Sequence, residues 1–145
     1  MKINIEKPLT GWIKLDISVK GQIFSDTLSY TPEDFIYKLI EVLNLVSLSK
    51  GQFVLNGYSE PIIYDFIFES KDNEVVFEIS TKEKGNFKCI FRQIEPKNKL
   101  LITFFRALSK MKSTINKAEY KRNWHYEFPE AKFQKLRTFL NQSKE

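Results

Sequence analysis

The chain has 145 residues, of which 42% are hydrophobic and 14% aromatic, and it carries a net charge of +5. This length and composition predict a single packed domain over residues 1–145 and exclude a disordered chain. One cysteine and one histidine cannot supply a disulfide or a metal site of ordinary ligand number. No apolar run approaches the ~18 residues that a membrane span needs. We therefore expect a cytoplasmic protein without a metal or cofactor.

The first part of the chain predicts a β-hairpin followed by a helix. Apolar and polar residues alternate over 13–19 and again over 23–30, which is the pattern of two half-buried strands. Thr31 and Pro32 then predict a helix start, because a threonine hydroxyl caps a helix and proline has no N–H to leave unpaired. Apolar residues at helical spacing follow over 35–46.

Three further strands are predicted by alternation over 62–69, 75–80 and 87–92. The turns between them are so short that they can only join antiparallel neighbours, so these strands form a meander. In the last strand Cys89 shares its alternation with two phenylalanines. We therefore expect Cys89 to face inward and to behave as a small apolar residue.

From Pro96 onward the apolar period becomes helical. Leu101 to Ile115 predict one long helix with a single apolar face, and Pro129 opens a last helix. The predicted order of elements is ββαβββαα. Runs of strands followed by helices predict an α+β fold, in which an antiparallel sheet of about five strands has its helices packed on one face.

The positive charge is concentrated in the last third of the chain. Residues 97–145 carry twelve basic and four acidic side chains, a net charge of +8, whereas residues 1–96 have a net charge of −3. At about 100° per residue, five basic residues of the first C-terminal helix fall within roughly 60° of one another, opposite its apolar face. They are Lys99, Arg106, Lys110, Lys117 and Lys121. Like charges four residues apart destabilise a helix by about 0.2–0.5 kcal/mol, so this basic stripe suits an anionic partner. The alternative interpretation is a solvated outer face, or one that acidic residues of the sheet balance.

The segment 120–126 interleaves basic and aromatic residues, as nucleic-acid-binding segments do. Trp124 and Tyr126 are its candidate stacking residues, although aromatic residues between two helices also seal the edge of a core. No motif for catalysis surrounds His125, the only histidine, or Cys89. We therefore assign no catalytic residue and expect no enzyme activity.

Several segments between residues 11 and 80 resemble small, uncharacterised bacterial immunity proteins found beside polymorphic or contact-dependent toxins. The segments are Gly11–Val19, Leu28–Tyr30, Asp34–Ile40, the Glu60–Pro61 strand and Glu74–Ile79. They consist mostly of hydrophobic patterning, the basic C-terminal third lies outside them, and they transfer no binding residue. The resemblance implies a protein that binds and neutralises a toxin domain.

Two functional hypotheses follow. The first is a non-enzymatic protein-binding module, an immunity protein, whose basic stripe contacts an acidic toxin domain. The alternative is a nucleic-acid or polyanion-binding protein that uses the same face with Trp124 and Tyr126. The oligomeric state stays open, as does the choice between the basic helix face and an exposed sheet face as the interface.

Overall fold

A computed structural model describes residues 1–143, and over that range it contains seven strands and four helices. The strands are β1 (Lys2–Ile5), β2 (Trp12–Val19), β3 (Gln22–Ser29), β4 (Gly51–Tyr58), β5 (Ile63–Ser70), β6 (Glu74–Glu83) and β7 (Asn86–Pro96). The helices are α1 (Phe35–Leu48), α2 (Lys97–Ser113), α3 (Lys117–Trp124) and α4 (Glu130–Gln142). The predicted α+β class is confirmed. No helix in this range is long and apolar enough to cross a membrane.

The strands form two antiparallel sheets, not one. Strands β1, β2 and β3 make a three-stranded sheet, and β4, β5, β6 and β7 make a four-stranded one, each in chain order. The expected single sheet of about five strands, in the order ββαβββαα, therefore differs in detail. The predicted order omits β1, which is only four residues long. It also omits β4, in which Gly51 and Gly57 interrupt the apolar alternation. It also places one helix where the structure has α2 and α3.

Strand β3 crosses the inner face of the four-stranded sheet, the face turned toward the core. At one end, the side-chain amide of Gln22 donates to the carbonyl of Arg92 in β7 and accepts from its N–H, both at 2.7 Å. Midway, the ring of Phe24 packs edge-on against Phe66 in β5, with ring centroids 5.6 Å apart. At the other end, Leu28 lies against Gly57 in β4. The two sheets thus enclose the core between them.

Helices α1 and α2 pack on the same inner face. Phe104 of α2 meets Phe68 and Phe77, with ring centroids 5.6 and 5.7 Å away. Phe35 of α1 meets Phe66 at 5.3 Å. Helix α4 packs outside α1 and α2. Because α1 and α2 both pack on the inner face, the outer face of the four-stranded sheet carries no helix within the described part of the chain.

Helix α1 begins three residues later than the Thr31 cap predicts. Its N-cap is Asp34, whose Oδ1 accepts a hydrogen bond of 3.1 Å from the backbone N–H of Tyr37. Thr31 precedes a proline, which disfavours helical backbone there, and its hydroxyl pairs with Ser29 instead.

Cys89 lies on the outer face of the four-stranded sheet and is exposed, so the inward position predicted for it is wrong. A β-bulge causes the change. Ile79 pairs with Phe91 but Ser80 pairs with Cys89, which leaves Ile90 as an extra residue in β7. One extra residue moves every earlier side chain of the strand to the opposite face.

Candidate partner-binding groove

The predicted basic stripe is divided between two helices. Helix α2 ends at Ser113, and the hydroxyl of Thr114 donates to the carbonyl of Met111 at 2.6 Å. Asn116 then caps α3, its Oδ1 accepting from the N–H of Glu119 at 2.8 Å. Thr and Asn offer the backbone local hydrogen bonds that compete with a continuous helix. The break leaves Lys99, Arg106 and Lys110 on α2 and moves Lys117 and Lys121 to α3.

The five basic residues have different neighbours. Lys99 lies 3.8 Å from a carboxylate oxygen of Glu95, and Lys121 lies 3.5 Å from one of Glu127. Within residues 1–143, neither Arg106 nor Lys110 has an ion-pair partner, and both are exposed. Lys117 lies in a separate depression with Phe128 and Glu130. Arg106 and Lys110 are therefore the pair available to an anionic group.

Arg106 and Lys110 line a groove between α2 and β1. Two hollows, of about 670 and 510 Å³, adjoin at Asn4 and Lys110, which line both. We call the two hollows together the α2–β1 groove and define it by its basic and exposed apolar side chains, Lys2, Lys7, Leu9, Trp12, Lys14, Arg106 and Lys110. Two carboxylates line it: Glu6, and Asp16, whose Oδ1 accepts from the Ser25 hydroxyl. Lys7 is engaged with a carboxylate outside the groove, that of Glu119, 3.4 Å away.

The turn before β2 holds two apolar side chains at the surface. Leu9 is 63% exposed and Trp12 is 39% exposed. Their backbones exchange reciprocal hydrogen bonds of 2.9 and 3.0 Å around Thr10 and Gly11, which both have positive φ, as in a type I′ turn. A Cβ on Gly11 would lie 2.7 Å from the ring of Tyr30, so only glycine fits. The turn is therefore rigid and presents its apolar side chains without rearrangement.

Trp124 and Tyr126 do not belong to this surface. Trp124 is fully buried, and its indole Nε1 donates to Asp34 Oδ1 at 2.7 Å. Tyr126 is half-buried, and its hydroxyl donates to the carbonyl of Tyr30 at 2.9 Å. The Trp124 ring is therefore not accessible to a base, and both side chains tie α3 and the segment after it to the region around the start of α1.

The Trp124 contact surrounds an acid that the sequence did not single out. Burial raises the pKa of the Asp34 carboxyl, against the opposing effect of hydrogen bonds from Trp124 and from the backbone of Tyr37 and Ile36. The nearby Tyr120 hydroxyl is buried without a hydrogen-bond partner in the described residues, and burial raises its pKa as well. Because Trp124 is fully buried and Tyr120 is only 2% exposed, we interpret this cluster as part of the core.

The histidine and the cysteine both lie outside the α2–β1 groove. His125 ends α3 in a left-handed conformation, and its ring packs on Tyr30 with 4.4 Å between centroids. Cys89 lies on the outer sheet face. Over residues 1–143, no group of three or more His, Cys, Asp or Glu side chains could hold a metal ion. The groove thus offers apolar contact and cationic hydrogen-bond donors, which is binding chemistry.

No protein-family model, curated protein or solved structure matches the chain. The α2–β1 groove is accordingly assigned from its geometry.

Sequence patterns found part of this groove. The helical spacing of α2 predicted that Arg106 and Lys110 share an exposed face. Leu9 and Lys14 were missed. Leu9 precedes the first predicted strand, and Lys14 was interpreted only as a polar residue within that strand. Both line the groove because β1 packs beside α2.

Proposed function

We propose that this protein is a non-enzymatic, cytoplasmic protein-binding module, and specifically an immunity protein that binds and neutralises a toxin domain through the α2–β1 groove. One observation carries the binding assignment: Leu9 and Trp12 are exposed on a rigid turn in a hollow that Lys14 and Lys110 also line, and Arg106 lines the adjoining hollow. The resemblance of residues 11–80 to immunity proteins supports the toxin as the partner.

The composition of the groove favours a protein partner. Interfaces between proteins place one or two apolar or aromatic anchors at the centre and charged groups at the rim. Leu9 and Trp12 would be the anchors, and Lys14, Arg106 and Lys110 the rim. The unpaired cations favour a partner with acidic groups around an apolar pocket, because such charges speed association and select against wrong partners.

Nucleic-acid or polyanion binding is the second candidate. The net charge of +8 in residues 97–145 and the exposed ring of Trp12 beside Lys14 favour it. The two stacking residues expected for this function, Trp124 and Tyr126, do not support it, since their polar atoms are bonded to Asp34 and Tyr30 within the protein. Polyanion binding has a distinct signature, a linear fall of log affinity with log salt caused by counterion release.

The test is an affinity capture from a lysate of the source organism, with nuclease present, read by mass spectrometry. Three baits are compared: the wild type, the groove variant Arg106→Glu/Lys110→Glu, and the control Lys117→Glu/Lys121→Glu. The control makes the same charge change in the same basic third of the chain, but outside the groove. We expect one stoichiometric protein on the wild-type and control baits and its loss from the groove variant.

The kinetics of that complex then test the charge assignment. At low salt, the groove variant should associate at least about tenfold more slowly, because steering depends on unscreened charge. Equal capture by all three baits would refute the assignment of the α2–β1 groove as the partner-binding surface. Recovery of nucleic acid only, when nuclease is omitted, with loss at high salt, would instead establish the polyanion function.

A further inference from the structure

The outer face of the four-stranded sheet is a second surface with its own chemistry. The register places Val54 beside Ile67, and it places Val76 between Glu69 and Ile94. Val54 is 49% and Ile94 is 46% exposed, so large apolar side chains lie uncovered on this face. We define the acidic sheet face by Val54, Ile67, Glu69, Glu74 and Ile94.

This face has an excess of negative charge. It carries four carboxylates, Asp65, Glu69, Glu74 and Glu78, against two cations, Lys82 and Arg92. Arg92 is engaged with Glu78, its Nε lying 3.0 Å from Oε1. Glu69 and Glu74 are exposed diagonal neighbours on β5 and β6, without an ion pair in residues 1–143.

The acidic sheet face and the α2–β1 groove lie on opposite sides of the molecule. Phe104 of α2 packs on the inner face of the sheet. Arg106 is two residues further along the helix, about 200° around its axis, and so points away from the sheet. The molecule therefore shows acidic carboxylates with apolar residues on one side, and cations with apolar residues on the other.

We infer that this protein associates with itself head to tail, the acidic sheet face of one copy docking in the α2–β1 groove of the next. Glu69 and Glu74 would meet Arg106 and Lys110, while Val54 and Ile94 would cover Leu9 and Trp12. Two different surfaces joined in this way make a heterologous contact, which extends into a chain or closes into a ring. A partner in the groove would displace the neighbouring copy, so self-association would hold the groove closed until the partner arrives.

Sedimentation velocity of the purified full chain tests this inference without any partner, so its failure leaves the proposed function intact. The wild type is measured over a range of concentrations at about 20 mM and about 500 mM salt, where screening differs strongly. We expect an average mass that rises with concentration at low salt and returns to the monomer at high salt. A wild type that stays monomeric at low salt, up to the highest soluble concentration, would overturn the inference.

Complementary variants identify the two surfaces. Arg106→Glu/Lys110→Glu destroys the groove and keeps the sheet face; Glu69→Lys/Glu74→Lys does the reverse. Each alone should be monomeric, with circular dichroism showing that it is folded. Mixing them should restore association, because the native acidic face of the first variant meets the native groove of the second, and the lysine-bearing face of the second meets the glutamate-bearing groove of the first. The matched control Glu60→Lys/Glu83→Lys changes the same charge at the other end of the sheet and should associate like the wild type. Association that survives either surface variant, a mixture that stays monomeric, or loss in the control would overturn the assignment.

Discussion

The two tryptophans of this chain have opposite roles. Trp124 is fully buried and donates to Asp34, whereas Trp12 stands at the surface on a rigid turn. Each lies two residues from a basic residue, Trp12 from Lys14 and Trp124 from Arg122, so the neighbouring residues in the sequence do not distinguish them. The distinction depends on Asp34, which lies 90 residues before Trp124.

Exchanging each tryptophan should separate stability from binding. Trp124→Phe removes the donor to a half-buried carboxylate, and we expect it to lower the free energy of unfolding by about 1–3 kcal/mol. Trp12→Ala should change it by less than about 0.5 kcal/mol, since it alters a surface site, yet weaken partner capture. Urea denaturation measures the first effect, and capture measures the second. Equal stability losses in the two variants would contradict this division.

The half-buried Asp34 predicts a specific pH dependence. Its pKa is raised in the folded protein, chiefly by burial, so the folded state holds this proton where the unfolded state has lost it. Stability therefore falls as the pH rises from the unfolded to the folded pKa, and the penalty persists at neutral pH. Asp34→Asn keeps an oxygen for Trp124 and Tyr37 and is also a good N-cap.

We expect Asp34→Asn to be at least as stable as the wild type at pH 7, with an advantage that shrinks as the pH is lowered toward 4, near the ordinary Asp pKa. Chemical denaturation of both proteins at a series of pH values measures this difference, in which the other titrating groups cancel. An asparagine variant that loses most stability at pH 7 would show that the charge itself is needed.

Among the elements, regular side-chain periods made β2, β3, α1, β5 and β6 predictable. The predictions were wrong where a single extra residue or a helix cap changes the period of the apolar pattern. Ile90 shifts the register of β7, and Asn116 ends one helix pattern and starts another. A bulge and a cap depend on local backbone energies that apolar spacing does not report.

The exposed edge of β7 is protected by a side chain. Gln22 satisfies both backbone groups of Arg92, which would otherwise be free to pair with another strand. In Gln22→Ala we expect the Arg92 amide to exchange with deuterium at least about tenfold faster, because its acceptor is gone. Amides of β5, inside the sheet, serve as the control. Unchanged exchange at Arg92 would mean that another group protects this edge.

At the scale of the whole molecule, the two sheets approach each other closely at Gly57. A Cβ there would lie 2.7 Å from the ring of Phe66 and 3.1 Å from Leu28 of the other sheet. Phe66 is 2% exposed and packs against Phe24 and Phe35, so it cannot move aside. We expect Gly57→Ala to lower the free energy of unfolding by about 1–3 kcal/mol through overpacking. A thermal or urea melt that matches the wild type would show that the sheets can separate slightly without cost.

The candidate groove also belongs to this scale. Arg106 and Lys110 could be predicted from one helix, but the groove needs β1 against α2, a contact between segments about a hundred residues apart. Patterns with a short period contain no information on such contacts. The apolar partners of the cations, Leu9 and Trp12, were therefore beyond a prediction made from helical spacing.

The division into two sheets has a consequence for how the chain folds. Every hydrogen-bonded strand pair joins strands that are neighbours in the chain, so each ladder closes only a short loop. The contacts that unite the ladders, Phe24 with Phe66 and Gln22 with Arg92, span far longer loops and cost more chain entropy. We therefore expect the two meanders to form early and their docking to be the rate-limiting step of folding. Substitutions at Phe24 should then slow refolding, whereas substitutions within the turns should leave the refolding rate almost unchanged.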